Sequence, residues 1–125
     1  MASGSSVPAW PAFWALKMRR TRLTAWVKAW LTRVTSKLHV KPMIYVTQSF
    51  WRSYLGDTRW FVDNGYKVLW IAHWGTSNPG VPAGNWGGTS WTFWQYSSCG
   101  RVPGIKSACV DLDRYAGTDI DRLRI

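Results

Sequence analysis

Apolar positions recur at helical spacing between residues 22 and 38. Leu23, Trp26, Val27, Trp30, Leu31, Val34 and Leu38 fall toward one side of an α-helix, and Arg22, Thr32, Arg33, Ser36 and Lys37 occupy the rest. Thr21 suits the N-cap of this helix and Pro42 stops its continuation. Beyond Pro42 the pattern changes to short apolar runs with β-branched residues, which predict strands over 43–47, 67–73, 91–97 and 109–112. Residues 49–65 suit helical turns, with Phe50, Trp51, Tyr54, Leu55, Trp60, Phe61 and Val62 as apolar contacts. Residues 75–90 form a Gly/Pro/Asn/Ser loop. A helix, then strands joined through helical turns, reads as α/β with mainly parallel strands. Residues 1–20 show no packing pattern, so they are expected to be irregular, with Trp10 and Trp14 outside any common core; residues 21–125 are the folded part.

Length bounds this picture. At 125 residues the chain is one domain, short of the roughly 250 residues of a complete barrel of β/α units. No apolar run approaches the roughly 20 residues of a membrane-spanning helix. The net charge of +10 is unevenly spread: residues 1–41 hold eight Lys/Arg and no acid, whereas residues 42–125 hold eight against six Asp. Such a surface suits anionic partners. Residues 7–16 are apolar but contain Pro8 and Pro11, and the basic cluster follows them, the wrong order for a secretory signal. His39 and His73 are far apart and lack neighbouring carboxylates or thiols, so no metal is expected. No phosphate-cradling glycine loop or nucleophile elbow is present, and no cofactor is expected. The 11 Trp fill a core, line a sugar site or mark a membrane interface. Cys99 and Cys109 bracket a Pro-Gly loop, whose ends are close enough for a disulfide; two free thiols are the alternative.

Residues 91–113 carry the most specific signal. They run from an aromatic-polar strand, Phe93-Trp-Gln-Tyr-Ser97, through Val102-Pro-Gly-Ile105, to Val110-Asp-Leu-Asp113. Together with Leu23-Thr-Ala-Trp26, Pro42-Met-Ile-Tyr45 and Leu69-Trp-Ile-Ala72, this order resembles the C-terminal half of the family-25 glycoside hydrolases, the lysozymes (N-acetylmuramidases) of bacteria and phages. The resemblance covers residues 21–118. It implies half of a TIM-like β/α barrel, a peptidoglycan glycan strand as substrate, and an extracellular or cell-wall setting.

Glycoside hydrolysis ordinarily needs two carboxyl groups flanking the scissile bond. In the family the principal acid is the Glu of an Asp-x-Glu motif just before the helix matched by residues 22–38. Here residues 9–20 contain no carboxylate, and the chain has no Glu and no Asp before Asp57. Of the family's catalytic carboxylates only Asp111, in a supporting role, matches. Its bland alternative is a strand-end Asp pairing with Arg114, and Asp113 is expected to be solvated or paired. Tyr45, Trp70, Gln95 and Tyr96 match family positions that line or support the groove: an amide suits a sugar hydroxyl or N-acetyl group, and an aromatic face a pyranose ring. Trp70 has the alternative of core packing.

The resemblance therefore implies a fragment of a muramidase that is inactive alone. A reading-frame change or a misassigned start is the expectation that the composition break near residue 21 raises. Two other classes stay open: a degenerate sugar-binding module, and a cationic Trp-rich protein acting on membranes or nucleic acid through residues 10–38. No specific nucleic acid is expected, and the sheet edges of half a barrel invite self-association.

Overall fold

The computed structural model describes residues 10–124, with side chains from residue 18 onward. The first helix, α1 (Trp10–Leu38), is 29 residues long and begins twelve residues before the predicted start. Residues 10–20 are therefore helical, not irregular. Pro11 sits in the first turn, where its missing N–H costs nothing, and Ala, Leu, Lys, Met and Arg follow without a glycine. Residues 1–9 and the packing of Trp10 and Trp14 lie outside the described residues.

The face of α1 also differs from expectation. Leu31 is buried, with Leu23 and Val27 packed beside it, but Trp26 and Trp30 are 63% and 53% exposed. At about 100° per residue Trp30 is turned about 100° and Trp26 about 140° away from Leu31.

Four strands form one sheet in the order β1 (Ile44–Val46), β2 (Leu69–Ala72), β3 (Phe93–Gly100), β4 (Val110–Tyr115). The first three are parallel, whereas β4 runs antiparallel to β3. The reversal corrects the expectation of a parallel fourth strand. Only residues 101–109 join β3 to β4, and a parallel crossover needs about a dozen residues or more. A disulfide between Cys99 and Cys109 closes the base of that hairpin.

Between β1 and β2 lie α2 (Gln48–Leu55) and α3 (Trp60–Asp63). Thr47 caps α2 by accepting from the Phe50 N–H at 3.2 Å, and Gly56 ends it at φ 63°. Trp51 of α2 is almost fully buried, edge-on to Phe61 at 5.2 Å and to Trp86 at 5.1 Å. Together with Ile44, Leu69, Ile71 and Trp94 these residues form the core. That core lies on one face of the sheet, and among the described residues no helix belongs to a layer on the opposite face.

The loop before β3 contains an unusual turn. Pro82–Gly87 coils with left-handed sense: Ala83, Gly84, Asn85 and Trp86 have φ between 51° and 60°. For L-residues such a backbone costs roughly 1–2 kcal/mol each, less for Asn and nothing for Gly. Ala83 and Trp86 are fully buried, the Trp86 indole donates to the Tyr66 carbonyl at 2.9 Å, and Asp57 accepts from the Ala83 N–H at 2.7 Å. Burying an indole of roughly 150–250 Å² is worth about 4–6 kcal/mol, which offsets the backbone cost. Among the described residues no helix is long and apolar enough to cross a membrane.

Candidate functional site

Alternation along the strands sorts side chains onto two faces. Tyr45, Trp70, Phe93 and Tyr115 are register partners across the four strands, so they share one face. Two residues along, Ala72, Gln95 and Asp113 are partners on that same face. The intervening Ile44, Leu69, Ile71 and Trp94 point into the core. The open face is thus an aromatic surface with an amide and carboxylates among the rings.

Gln95 anchors it. Its side chain is buried, and Oε1 accepts from the Tyr45 hydroxyl at 2.8 Å and from the Trp74 indole at 3.1 Å. Indole is a donor only, so the atom facing Trp74 must be the oxygen, which fixes the orientation of the amide. The Gln95 NH₂ has no partner among the described residues, and it is not sealed from solvent. Its two N–H groups are left without an acceptor among the described residues.

Trp70 is held just as firmly. Its ring lies edge-on to Tyr45 at 4.6 Å, and its indole N–H donates to Asp113 Oδ1 at 2.7 Å. Trp70 is half-buried on the open face, so core packing does not account for it. Asp113 orients it, a role sequence reasoning assigned to no residue.

Asp111 precedes Asp113 by two residues and lies on the same side of β4. It is exposed and has no hydrogen-bond or ion-pair partner among the described residues. Arg114 does not pair with it. The guanidinium sits instead over Trp94 at 5.5 Å and Tyr96 at 4.9 Å. Tyr96 is the extra residue of a β-bulge between the Gln95–Asp113 and Ser97–Leu112 pairs. It packs against the core beside Trp94, not with Gln95. The structure therefore brings together Tyr45, Trp70 and Gln95, and it sets Tyr96 apart.

At the C-terminal ends of β1 and β2 a pocket of about 250 Å³ opens beside Trp74, lined also by Thr47, Gln48, Ser49, Ala72 and His73. His73 is fixed by accepting from the Gly80 N–H at its Nδ1, 2.8 Å, while its carbonyl accepts from the Trp94 indole at 2.8 Å. The Gln48 amide packs directly against Gly80, where a Cβ would require that side chain to move. Trp74, half of whose surface is exposed, was not singled out in the sequence, where it reads only as the residue after a strand. No group of three or more His, Cys, Asp or Glu side chains among the described residues is placed to hold a metal ion.

This arrangement has relatives. The model of the glycosyl hydrolases family 25 matches residues 14–105. The chain is 36% identical over 98 residues to "Lysozyme M1" of Streptomyces globisporus, covering 78% of this chain and 31% of that protein. It is 37% identical over 83 residues to an N,O-diacetylmuramidase of Arthroderma benhamiae, covering 66% of this chain and 33% of the relative. Among solved structures, the bacterial lysozyme of Streptomyces coelicolor superposes with a TM-score of 0.71 at 34% identity, over 83% of this chain and 45% of that one. The chain thus spans about a third of the curated relatives and under half of the solved lysozyme. The mixed four-stranded α/β sheet and the motifs along β1, β2 and β3 place it: the chain belongs to family 25 of the glycosyl hydrolases.

Proposed function

We propose that the chain forms the C-terminal half of a muramidase β/α barrel. Its open sheet face holds peptidoglycan glycan strands at the cell wall, without cleaving them. The observation that carries this is the Gln95 amide on the sheet's open face, its oxygen locked by Tyr45 and Trp74 and its NH₂ without a partner among the described residues. An N-acetyl carbonyl is an acceptor of the kind that NH₂ can bind, and the neighbouring Trp70 and Tyr45 offer ring surface for the apolar face of a pyranose.

The carboxylates argue against turnover. Glycosidic cleavage places two carboxyl groups on opposite sides of the bond, about 5–9.5 Å apart. Asp111 and Asp113 stand two residues apart on one side of one strand, and the chain has no Glu to face them. General acid catalysis contributes roughly 10²–10⁴-fold, so its loss takes hydrolysis below ordinary detection.

The test is the 125-residue chain mixed with purified, insoluble peptidoglycan. Retention in about 0.5 M salt, where surface charge is largely screened, is expected, with no release of reducing ends. Retention should fall on Trp70→Ala. Release of reducing sugar that Asp111→Ala abolishes would overturn the proposal, and so would retention lost entirely to salt.

A further inference from the structure

The solvent face of α1 carries a feature the sheet face does not explain. Arg19, Arg22, Trp26, Trp30, Arg33 and Lys37 are all exposed, and their spacing of three or four places them within about 80° of arc on one helix. The stripe is about 27 Å long at 1.5 Å per residue. Its two indoles lie side by side at its centre, ring centroids 6.4 Å apart and 10° from parallel, with two cations beyond each. No acid occurs in α1 or in the residues around it up to Lys41, and none of the four cations is ion-paired with a described residue. Lys28 and Lys41 differ: they lie over the Trp60 and Tyr66 rings, outside the stripe.

We propose that this stripe is a docking surface for an anionic phospholipid bilayer, with α1 lying in the interface plane. A straight row on one face lets all six side chains meet a flat surface at once, which a coiling polymer strand does not offer. Indoles favour the headgroup level of a bilayer, where the ring is buried and the N–H stays hydrated. Flanking guanidinium and ammonium groups meet lipid phosphates, each contributing about 1 kcal/mol at an anionic surface. The two effects act on the same face of one helix, as interfacial binding requires. This surface is separate from the glycan face, so the two readings stand or fall independently.

The test is co-sedimentation of the full chain with vesicles of equal parts phosphatidylglycerol and phosphatidylcholine, against phosphatidylcholine alone. Binding is expected only to the anionic vesicles. The double variant Arg22→Gln, Arg33→Gln should weaken it about 30-fold, the ratio for two such cations. The charge-preserving Arg22→Lys, Arg33→Lys should bind as the parent does, which controls for folding. Arg101→Gln with Lys106→Gln removes the same charge from the β3–β4 loop and should change binding less than about threefold. Trp26→Ala with Trp30→Ala should abolish the binding that survives added salt. Equal losses from the α1 and loop pairs would show that net charge alone acts, and would overturn the proposal. A Gln pair that lost binding to single-stranded DNA but not to vesicles would overturn it in favour of a nucleic-acid surface.

Discussion

Asn85 tests the handedness of the turn before β3. Its φ of 57° and ψ of 42° are left-handed, its side chain is exposed, and its carbonyl accepts from the Gly88 and Ser90 N–H groups at 3.1 and 2.9 Å. Those backbone bonds survive any substitution that keeps the conformation, so the side chain acts through φ alone. Alanine in this region pays roughly 1–2 kcal/mol against a right-handed conformation, whereas Asn pays less and Gly almost nothing. Part of the glycine gain is returned as extra entropy in the unfolded chain. Asn85→Ala should therefore destabilise by about 1 kcal/mol, and Asn85→Gly should be neutral or stabilise by up to about 0.5 kcal/mol. The order of the two is the informative quantity, because in a right-handed helix Gly is about 1 kcal/mol worse than Ala. Urea unfolding with unchanged slope gives the difference as a midpoint shift, and each kcal/mol should move Tm by about 4 °C at this size. Asn85→Ala more stable than Asn85→Gly would refute a left-handed turn and the packing of Trp86 that depends on it.

Three further outcomes follow from the site and its supports. Gln95→Ala removes the two N–H donors, each worth about 0.5–1.5 kcal/mol; peptidoglycan retention should drop about tenfold or more while circular dichroism is unchanged. Asp113→Ala frees the Trp70 indole from its 2.7 Å acceptor, so retention should fall with Asp113→Ala but not with Asp111→Ala, as read by the same pull-down. Cys99→Ser opens a loop with a sequence separation of 10, and loop entropy puts the loss near 2–3 kcal/mol; reductant should lower the parent's Tm to that of the variant.

Much of the fold was legible because local pattern and tertiary role agree in it. β1 and β2 are short apolar runs between turn residues, and α2 starts at a capping Thr47 and stops at Gly56. Where prediction missed, a longer-range or subtler constraint decided. Residues 10–20 carry no amphipathic pattern, and only helix propensity after Pro11 announces α1 there. Trp26 and Trp30 are apolar and fall at helical spacing, but Leu23, Val27 and Leu31 already complete the buried side. The antiparallel β4 was readable from the length of its connection alone.

The site divides along the same line. Strand alternation is enough to put Tyr45, Trp70 and Gln95, the three that the motifs single out, on one face once the register is known. What recruits Trp74 and Asp113 is a hydrogen bond across 21 or 43 residues of chain. Neither bond leaves a trace in local sequence. A bulge at Tyr96 breaks the alternation that the motif Phe-Trp-Gln-Tyr-Ser implies, and it turns that ring toward Arg114 and the core. A side chain's motif neighbours therefore do not fix its face; the partner strand does. In this chain the partner strand returns by a hairpin, and that return brings Asp113 beside Trp70. The same short connection that makes β4 antiparallel thus also completes the wall on which Trp70 is held.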